Sequence, residues 1–339
     1  MSVPALWAVR EYFASAHIAM LTDMQPGKRR VQPKDILDGA GLIDEWLYYP
    51  AETSWRKGQS LSELSLLFMT LRRSHFDALV YLIRDRRLLS KWRDLIFFRL
   101  AGIRQFYGHR MLGGYPFRKE GMPLPIISHQ TDQILSRLSI SGIPTPMKGQ
   151  GTVDIGISDQ EKMAVDAWRN TLTDDGGRLW IGVGPGSRMP AKQWPLERYR
   201  TVIARLIEAY DIWPVIFGGP EDREAGNKLV NAWKRGYVAA GKLNVRQGVS
   251  ALSRCAFYLG NDTGTMHMAV AAGISCVAIF SARDYPGIWY PYGNHHTIFR
   301  KTVDCEGCML ETCTVQGMKC MLSIGTKEVY RAAIGMLIV

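Results

Sequence analysis

The sequence predicts an α/β protein with a parallel, doubly wound sheet, and three observations carry that prediction. Residues 151–339 alternate short apolar runs with amphipathic helical stretches. Parallel strands need such helical crossovers. Three of the apolar runs leave into glycine-rich turns, at 184–188, 218–222 and 260–264. Each turn is followed by a helix start, so all three converge on one sheet edge, where α/β sheets hold their ligands.

The first half reads less cleanly. Ser2 to Phe13 has helical periodicity from its first residue, and Ala16 to Leu21 reads as a strand. Ile43 to Tyr49 is strand-like with a stop at Pro50, Leu61 to Arg73 is helical, and Ala78 to Ile83 is a buried strand. Helices follow at Leu88 to Leu100 and Ser128 to Leu138. The glycine- and proline-rich stretch 141–151 breaks the pattern and is the expected linker, dividing the chain into domains 1–150 and 151–339. A length of 339 residues suits two domains.

In the second half, helix Asp159 to Leu172 leads into strand Arg178 to Gly184 and a long helix from Pro195 to Tyr210. Strand Trp213 to Phe217 exits into a helix reaching Trp233. A short helix, Val249 to Cys255, precedes strand Ala256 to Gly260 and the run Asn261-Asp262-Thr263-Gly264-Thr265-Met266-His267 through Gly273, before strand Cys276 to Phe280. Asp262 or Thr263 can cap the helix that starts there. The run is either a well-made turn and cap or a helix N-terminus offered to an anion.

Composition narrows the function. The formal charge is +11, with 21 Lys/Arg against 13 Asp/Glu in residues 1–150 and 21 against 18 in 151–339. The excess concentrates in 51–120, at Arg72-Arg73, Arg84-Asp85-Arg86-Arg87 and Arg118-Lys119. Such a face is either merely solvated or suited to a polyanion, anionic lipid or phosphorylated substrate. No zinc-finger spacing or RNP-like aromatic motif points to nucleic acid, so no nucleic-acid partner is expected. No run approaches roughly 18 uncharged apolar residues, and Met1 to Val9 has no basic leader, so a cytoplasmic protein is expected. Cys305, Cys308, Cys313 and Cys320 lie close together; they are read as four reduced thiols bracing a loop, with bound metal as the alternative.

The first exit, Gly184 to Pro195, is not a Walker loop, but it offers small backbone units, the Ser187 hydroxyl, Arg188 and Lys192 ahead of a helix. That set suits a diphosphate, although Arg188 and Lys192 also read as solvated loop charge. In the second exit, Glu221 and Asp222 sit where acids are favoured at a helix start, or where they can hold a sugar hydroxyl. No Gly-x-Gly-x-x-Gly with an acid about 20 residues on is present, which disfavours a dehydrogenase.

The segments Gly186-Ser187-Arg188-x3-Lys192-x-Trp194-Pro195, Gly218-Gly219-Pro220-Glu221-Asp222 and Asn261-Asp262-Thr263-Gly264-x-Met266-His267 fall in the order found in family 9 glycosyltransferases. The chain resembles these heptosyltransferases of lipopolysaccharide core assembly over about residues 1–330, and its cysteine cluster is similar to one in some members. The resemblance implies a GT-B architecture of two Rossmann-like domains facing across a cleft. It implies an inverting transferase moving a heptose from a nucleotide sugar, typically ADP-heptose, to a lipid-anchored glycolipid acceptor. The protein would then work at the cytoplasmic side of the inner membrane. Lys192 would neutralise the donor diphosphate, Asp262 would bond the transferred sugar, and Thr263 and Gly264 would offer backbone N–H groups to phosphate. Ser187, Arg188 and Glu221 join the donor set. His267, one helical turn beyond Thr263, is either a donor ligand or a satisfied helix histidine. No cofactor or metal is expected.

One departure from the family is notable. Members begin with a strand leading to a Gly-Asp loop, whose aspartate is the expected catalytic base. Ser2 to Leu6 resembles the helix just after that loop, so the base is expected upstream of Met1. A base in position contributes about 10²–10⁴ in rate. A nucleotide-sugar-binding remnant with impaired catalysis, and a same-fold transferase using another nucleotide sugar, are the competing expectations.

Overall fold

The computed structural model describes residues 1–24, 31–50, 59–83, 88–110, 112–118, 121–172, 175–314 and 316–338. The basic run 84–87 and Lys119 lie outside the described residues. The chain forms two compact units, Met1–Gly114 with Gln130–Gly156, and Tyr115–His129 with Ile157–Val339. The segment 115–129, which precedes the expected division, clusters with the second unit.

The first unit runs α1 (Val3–Tyr12), β1 (Ala19–Met24), α2 (Pro33–Leu37), β2 (Glu45–Pro50), α3 (Gln59–Ser74), β3 (Ala78–Val80), α4 (Leu88–Leu100), β4 (Gln105–Tyr107) and α5 (Gln130–Ile140). Pro4 in the first turn of α1 suits a helix start, where a missing N–H removes no bond. Ala5, Ala8 and Val9 of α1 bury against Ile134, Leu135 and Leu138 of α5. The strands form two parallel pairs, β1 with β2 and β3 with β4. No ladder joins the two pairs among the described residues. β4, with three residues, is too short to carry a readable period.

The second unit runs α6 (Asp159–Asn170), β5 (Trp180–Gly184), α7 (Leu196–Tyr210), β6 (Trp213–Ile216), α8 (Arg223–Trp233), β7 (Tyr237–Val238), α9 (Val245–Leu252), β8 (Cys255–Asn261), α10 (Gly264–Ala271), β9 (Ser275–Phe280), β10 (Thr297–Arg300), α11 (Lys319–Leu322) and α12 (Thr326–Gly335). Its six strands are parallel in the order β10-β9-β8-β5-β6-β7. The order reverses between β5 and β8, which pair Gly184 with Gly260. Such a switch point opens a crevice at the carboxyl ends of the strands.

The core lies between this sheet and its helices. Ile181 and Val183 of β5, Phe257 and Leu259 of β8, and Tyr199, Val202, Ile203 and Leu206 of α7 are wholly buried together. α9 begins at Val245, earlier than its apolar periodicity indicates, because Asn244 and Gln247 form a reciprocal capping box. The same device starts α6, where Ser158 pairs with Glu161. Glu161 also accepts from Arg246 of α9 at 2.9 Å, joining the two helices. Among the described residues no helix is long and apolar enough to cross a membrane.

Candidate donor site at the strand carboxyl ends

The switch point between β5 and β8 is built from a fully buried asparagine. Asn261, the last residue of β8, accepts the Trp194 backbone N–H at 3.1 Å and the Tyr199 hydroxyl at 2.9 Å on Oδ1. Its Nδ2 donates to the Pro185 carbonyl at 2.7 Å. One side chain therefore ties the end of β8 to the loop leaving β5 and to α7. Trp194, itself buried, donates from Nε1 to the Ile324 carbonyl.

Lys192 sits on a 3-10 turn, Pro190–Lys192, within that loop. Its ammonium lies 2.6 Å from the Asp262 carboxylate, with side chains only 14% and 9% exposed. Burial pushes the Asp262 carboxyl above its usual range, and the Lys192 ammonium opposes that shift. Arg283 and Asp284, just after β9, also face this carboxylate. Arg283 is turned to backbone, donating to the Leu310 carbonyl at 2.7 Å and to the Met309 carbonyl at 2.6 Å. Asp284 accepts the Tyr285 N–H and the Trp289 indole N–H.

The start of α10 is open. Thr263 occupies the N-cap position with extended backbone, but its side chain makes no cap bond. Its hydroxyl instead meets Thr265 Oγ1 at 2.8 Å, and Thr265 meets the Tyr258 hydroxyl at 2.7 Å. The expected side-chain cap is thus absent, because the threonine hydroxyls bond one another. Among the described residues the first N–H groups of α10 have no side-chain acceptor, the arrangement that receives an anion. His267 follows within the first turn, half-buried. Burial holds its imidazole well below the ordinary range, with His129 and Lys192 adding to the effect, so it is neutral at pH 7.

The remaining predicted residues divide. Ser187 lies in the β5 exit, its Oγ accepting the Met189 N–H and its carbonyl accepting from Gln193. Arg188 is exposed on the same loop. Glu221 is exposed at the β6 exit, whereas its neighbour Asp222 turns inward and accepts the Gly219 N–H at 2.9 Å. A Cβ on Gly186 or Gly218 would collide with the Asp222 carboxylate, so those glycines let both loops close on it. Burial raises the Asp222 carboxyl. A cavity of about 550 Å³ opens beside these loops, lined by Gly186, Trp194, Pro195, Asp222, Thr312 and Cys313. Neither Lys192 nor Asp262 lines it. Cys305, Cys308, Cys313 and Cys320 are free thiols, and no metal-holding group of three or more His, Cys, Asp or Glu occurs among the described residues. Their loop touches the site by backbone, since the Ala191 N–H donates to the Glu311 carbonyl at 3.0 Å.

Asn261 and the Tyr258–Thr265 hydroxyl pair are the members that sequence reading did not single out, whereas Asp222, read there as a helix-start acid or a holder of a sugar hydroxyl, is the inward one of two adjacent acids. The signal for Asn261 was its place one residue before Asp262. Tyr258 gave none, since an aromatic residue inside a buried strand reads as core.

The family model for glycosyltransferase family 9 (heptosyltransferase) matches residues 145–319. Lipopolysaccharide heptosyltransferase 2 of Salmonella typhimurium is 36% identical over 112 residues, covering 30% of this chain and 31% of that protein. The match therefore spans about a third of that relative's length. A crystal structure of a family 9 glycosyltransferase from Veillonella parvula superposes with a TM-score of 0.72 at 21% identity, over 99% of this chain and 93% of the other. The structure of the Escherichia coli ADP-heptose lipopolysaccharide heptosyltransferase II gives 0.65 at 19% identity, over 100% and 94%. These likenesses carry the fold, which is α/β and GT-B-like. With its matching segment running through all three strand exits, the chain belongs to glycosyltransferase family 9.

Proposed function

We propose that the protein is an inverting glycosyltransferase that takes a heptose from a nucleotide-diphosphate donor, ADP-heptose in the first instance, and delivers it to a hydroxyl of a lipopolysaccharide-core-type glycolipid. The observation that carries this reading is the Lys192–Asp262 pair beside the open N-terminus of α10, at the sheet's switch point. A diphosphate fits such a place, since the N–H groups of Gly264 and Thr265 and the Lys192 ammonium all favour negative charge. In this reading the diphosphate draws Lys192 away from Asp262, and the freed carboxylate accepts hydroxyls of the sugar. The acceptor oxygen then bonds the anomeric carbon as the bond to the diphosphate breaks, and the hydroxyl's proton is released to solvent. Charge growing on the departing phosphate is stabilised by Lys192 and the α10 amides without rearrangement. In this reading Asp222 and the exposed Glu221 accept ribose hydroxyls. The family membership and the name of the E. coli structural neighbour support heptose and ADP as the donor's two halves.

The test is a thermal shift with ADP and with ADP-heptose, followed by a transfer assay on a heptose-deficient core glycolipid. The expected result is a raised melting temperature that is reduced in Lys192→Ala, with ADP released only when acceptor is present. Equal shifts in the wild type, Lys192→Ala and Asp262→Ala would overturn the site, and preference for a uridine nucleotide would overturn the donor.

A further inference from the structure

α4 carries large apolar side chains on two faces, and among the described residues only one of these faces is covered. Its inward residues Phe97 and Phe98 join Leu67 and Leu71 of α3, with the Phe68 and Phe97 rings 5.8 Å apart. Its outward residues Leu88, Leu89, Trp92, Ile96 and Leu100 are between 56% and 84% exposed. At 100° per residue these five fall on one side of the helix, within about 120°. Five large apolar side chains together on an open face mark a contact surface, unlike isolated exposed ones.

The charges beside the stripe are basic. Arg99 lies within the stripe's arc and Arg93 at its border, both exposed. Arg72 of α3 donates to the Leu100 carbonyl at 3.3 Å, placing a guanidinium at the stripe's end, and Arg73 is exposed next to it in sequence. The acids on these helices are Asp94, which is paired with Arg93 at 2.7 Å, and Glu63. An aliphatic stripe carrying a tryptophan and bordered by arginines has the make-up of a helix that lies in the headgroup region of an anionic bilayer.

We propose that the outward face of α4, with Arg72, Arg73, Arg93 and Arg99 around it, docks the first unit onto an anionic phospholipid surface. Leu89 and Trp92 insert among the headgroups and upper acyl chains, while the guanidinium groups contact lipid phosphates. The inference stands on α4 alone and does not depend on the transferase reading.

Vesicle flotation tests it with the full chain. Vesicles of phosphatidylethanolamine and phosphatidylglycerol are expected to carry the protein, vesicles of phosphatidylcholine to carry far less, and binding to fall as salt rises. Leu89→Ser/Trp92→Ser and Arg93→Gln/Arg99→Gln are each expected to weaken binding by about tenfold or more. Trp92→Phe is expected to retain it. Both double variants change outward side chains, so melting temperature and the ADP-induced shift should match the wild type; this separates failure of docking from failure of the donor site. A wild type that does not float with anionic vesicles, or double variants that float equally, would overturn the proposal. So would light scattering showing a dimer that Leu89→Ser/Trp92→Ser converts to monomer, because the occupant would then be a second copy.

Discussion

The Lys192 ammonium and the Asp262 carboxylate meet at 2.6 Å although the two residues are 70 positions apart in sequence. Each is nearly buried, so each is the other's counter-ion in a site that excludes most water. Asp262 is the more strained partner, because burial raises its carboxyl. Lys192→Met is expected to lower stability by about 2–3 kcal/mol, since it leaves a buried acid without its cation. It should also weaken ADP binding by about 10- to 100-fold, the loss of one charge-assisted contact. Asp262→Asn is expected to separate the two roles, keeping ADP affinity while lowering the transfer rate. Urea melts, ADP calorimetry and turnover on the same preparations check all three outcomes.

Asn261→Ala removes every hydrogen bond of a fully buried side chain. It leaves the Trp194 N–H, the Tyr199 hydroxyl and the Pro185 carbonyl without their partner. The expected loss is about 2–4 kcal/mol in denaturant unfolding, at the upper end for a buried polar network. Asn261→Asp is expected to be worse, because a carboxylate would face the Pro185 carbonyl.

Glu161 supplies a pH dependence with a definite sign. The Arg246 guanidinium, which is nearly buried, holds its carboxyl down at about 2 from an ordinary 4.5. A depressed carboxyl stabilises the fold above its unfolded pKa, and that contribution fades as pH falls from about 4.5 through about 2. Glu161→Gln should therefore lose about 2–3 kcal/mol at pH 7. The gap between wild type and variant should narrow steadily on acidification below pH 4.5, as read from urea midpoints at several pH values.

Gly184→Ala tests the packing under α10. A Cβ at that position would collide with the Tyr258 hydroxyl and press on Thr265 Oγ1. Overpacking of this kind costs about 1–3 kcal/mol, and here it would also displace the first residues of α10. Gly184→Ala/Tyr258→Phe, which removes the obstructing oxygen, is expected to regain part of the melting temperature. A double variant no more stable than Gly184→Ala would point to strain elsewhere.

Much of the candidate site was legible because it is local. Asp262, Thr263, Gly264 and His267 are consecutive or one turn apart, and Lys192 follows a glycine-rich strand exit. The long helices α3, α4 and α7 were legible for a similar reason, each holding a period over three or more turns. Residues whose roles depend on distant partners were not. Glu161 and Arg246 are 85 positions apart, and nothing near either one announces the other. Asp222 and Glu221 are adjacent acids, and only the approach of Gly186 and Gly218 selects Asp222 as the inward one. β7 and β10 hold two and four residues, too few for a pattern to rise above chance. Among the described residues of the first unit, two separate parallel pairs stand where strand–helix alternation leads one to expect a single sheet, since ladder pairing is a long-range property.

Asn261 also bears on how a nucleotide would be received. Because it fastens the β5 exit to β8 and α7 before any ligand arrives, the ordering entropy of that loop is spent during folding. Association would then have little backbone left to immobilise. Its calorimetric signature would be favourable enthalpy with only a modest entropic penalty. The ligand-free and nucleotide-bound forms would differ mainly in one lysine rotamer, and a probe on the backbone of residues 185–195 would register almost nothing.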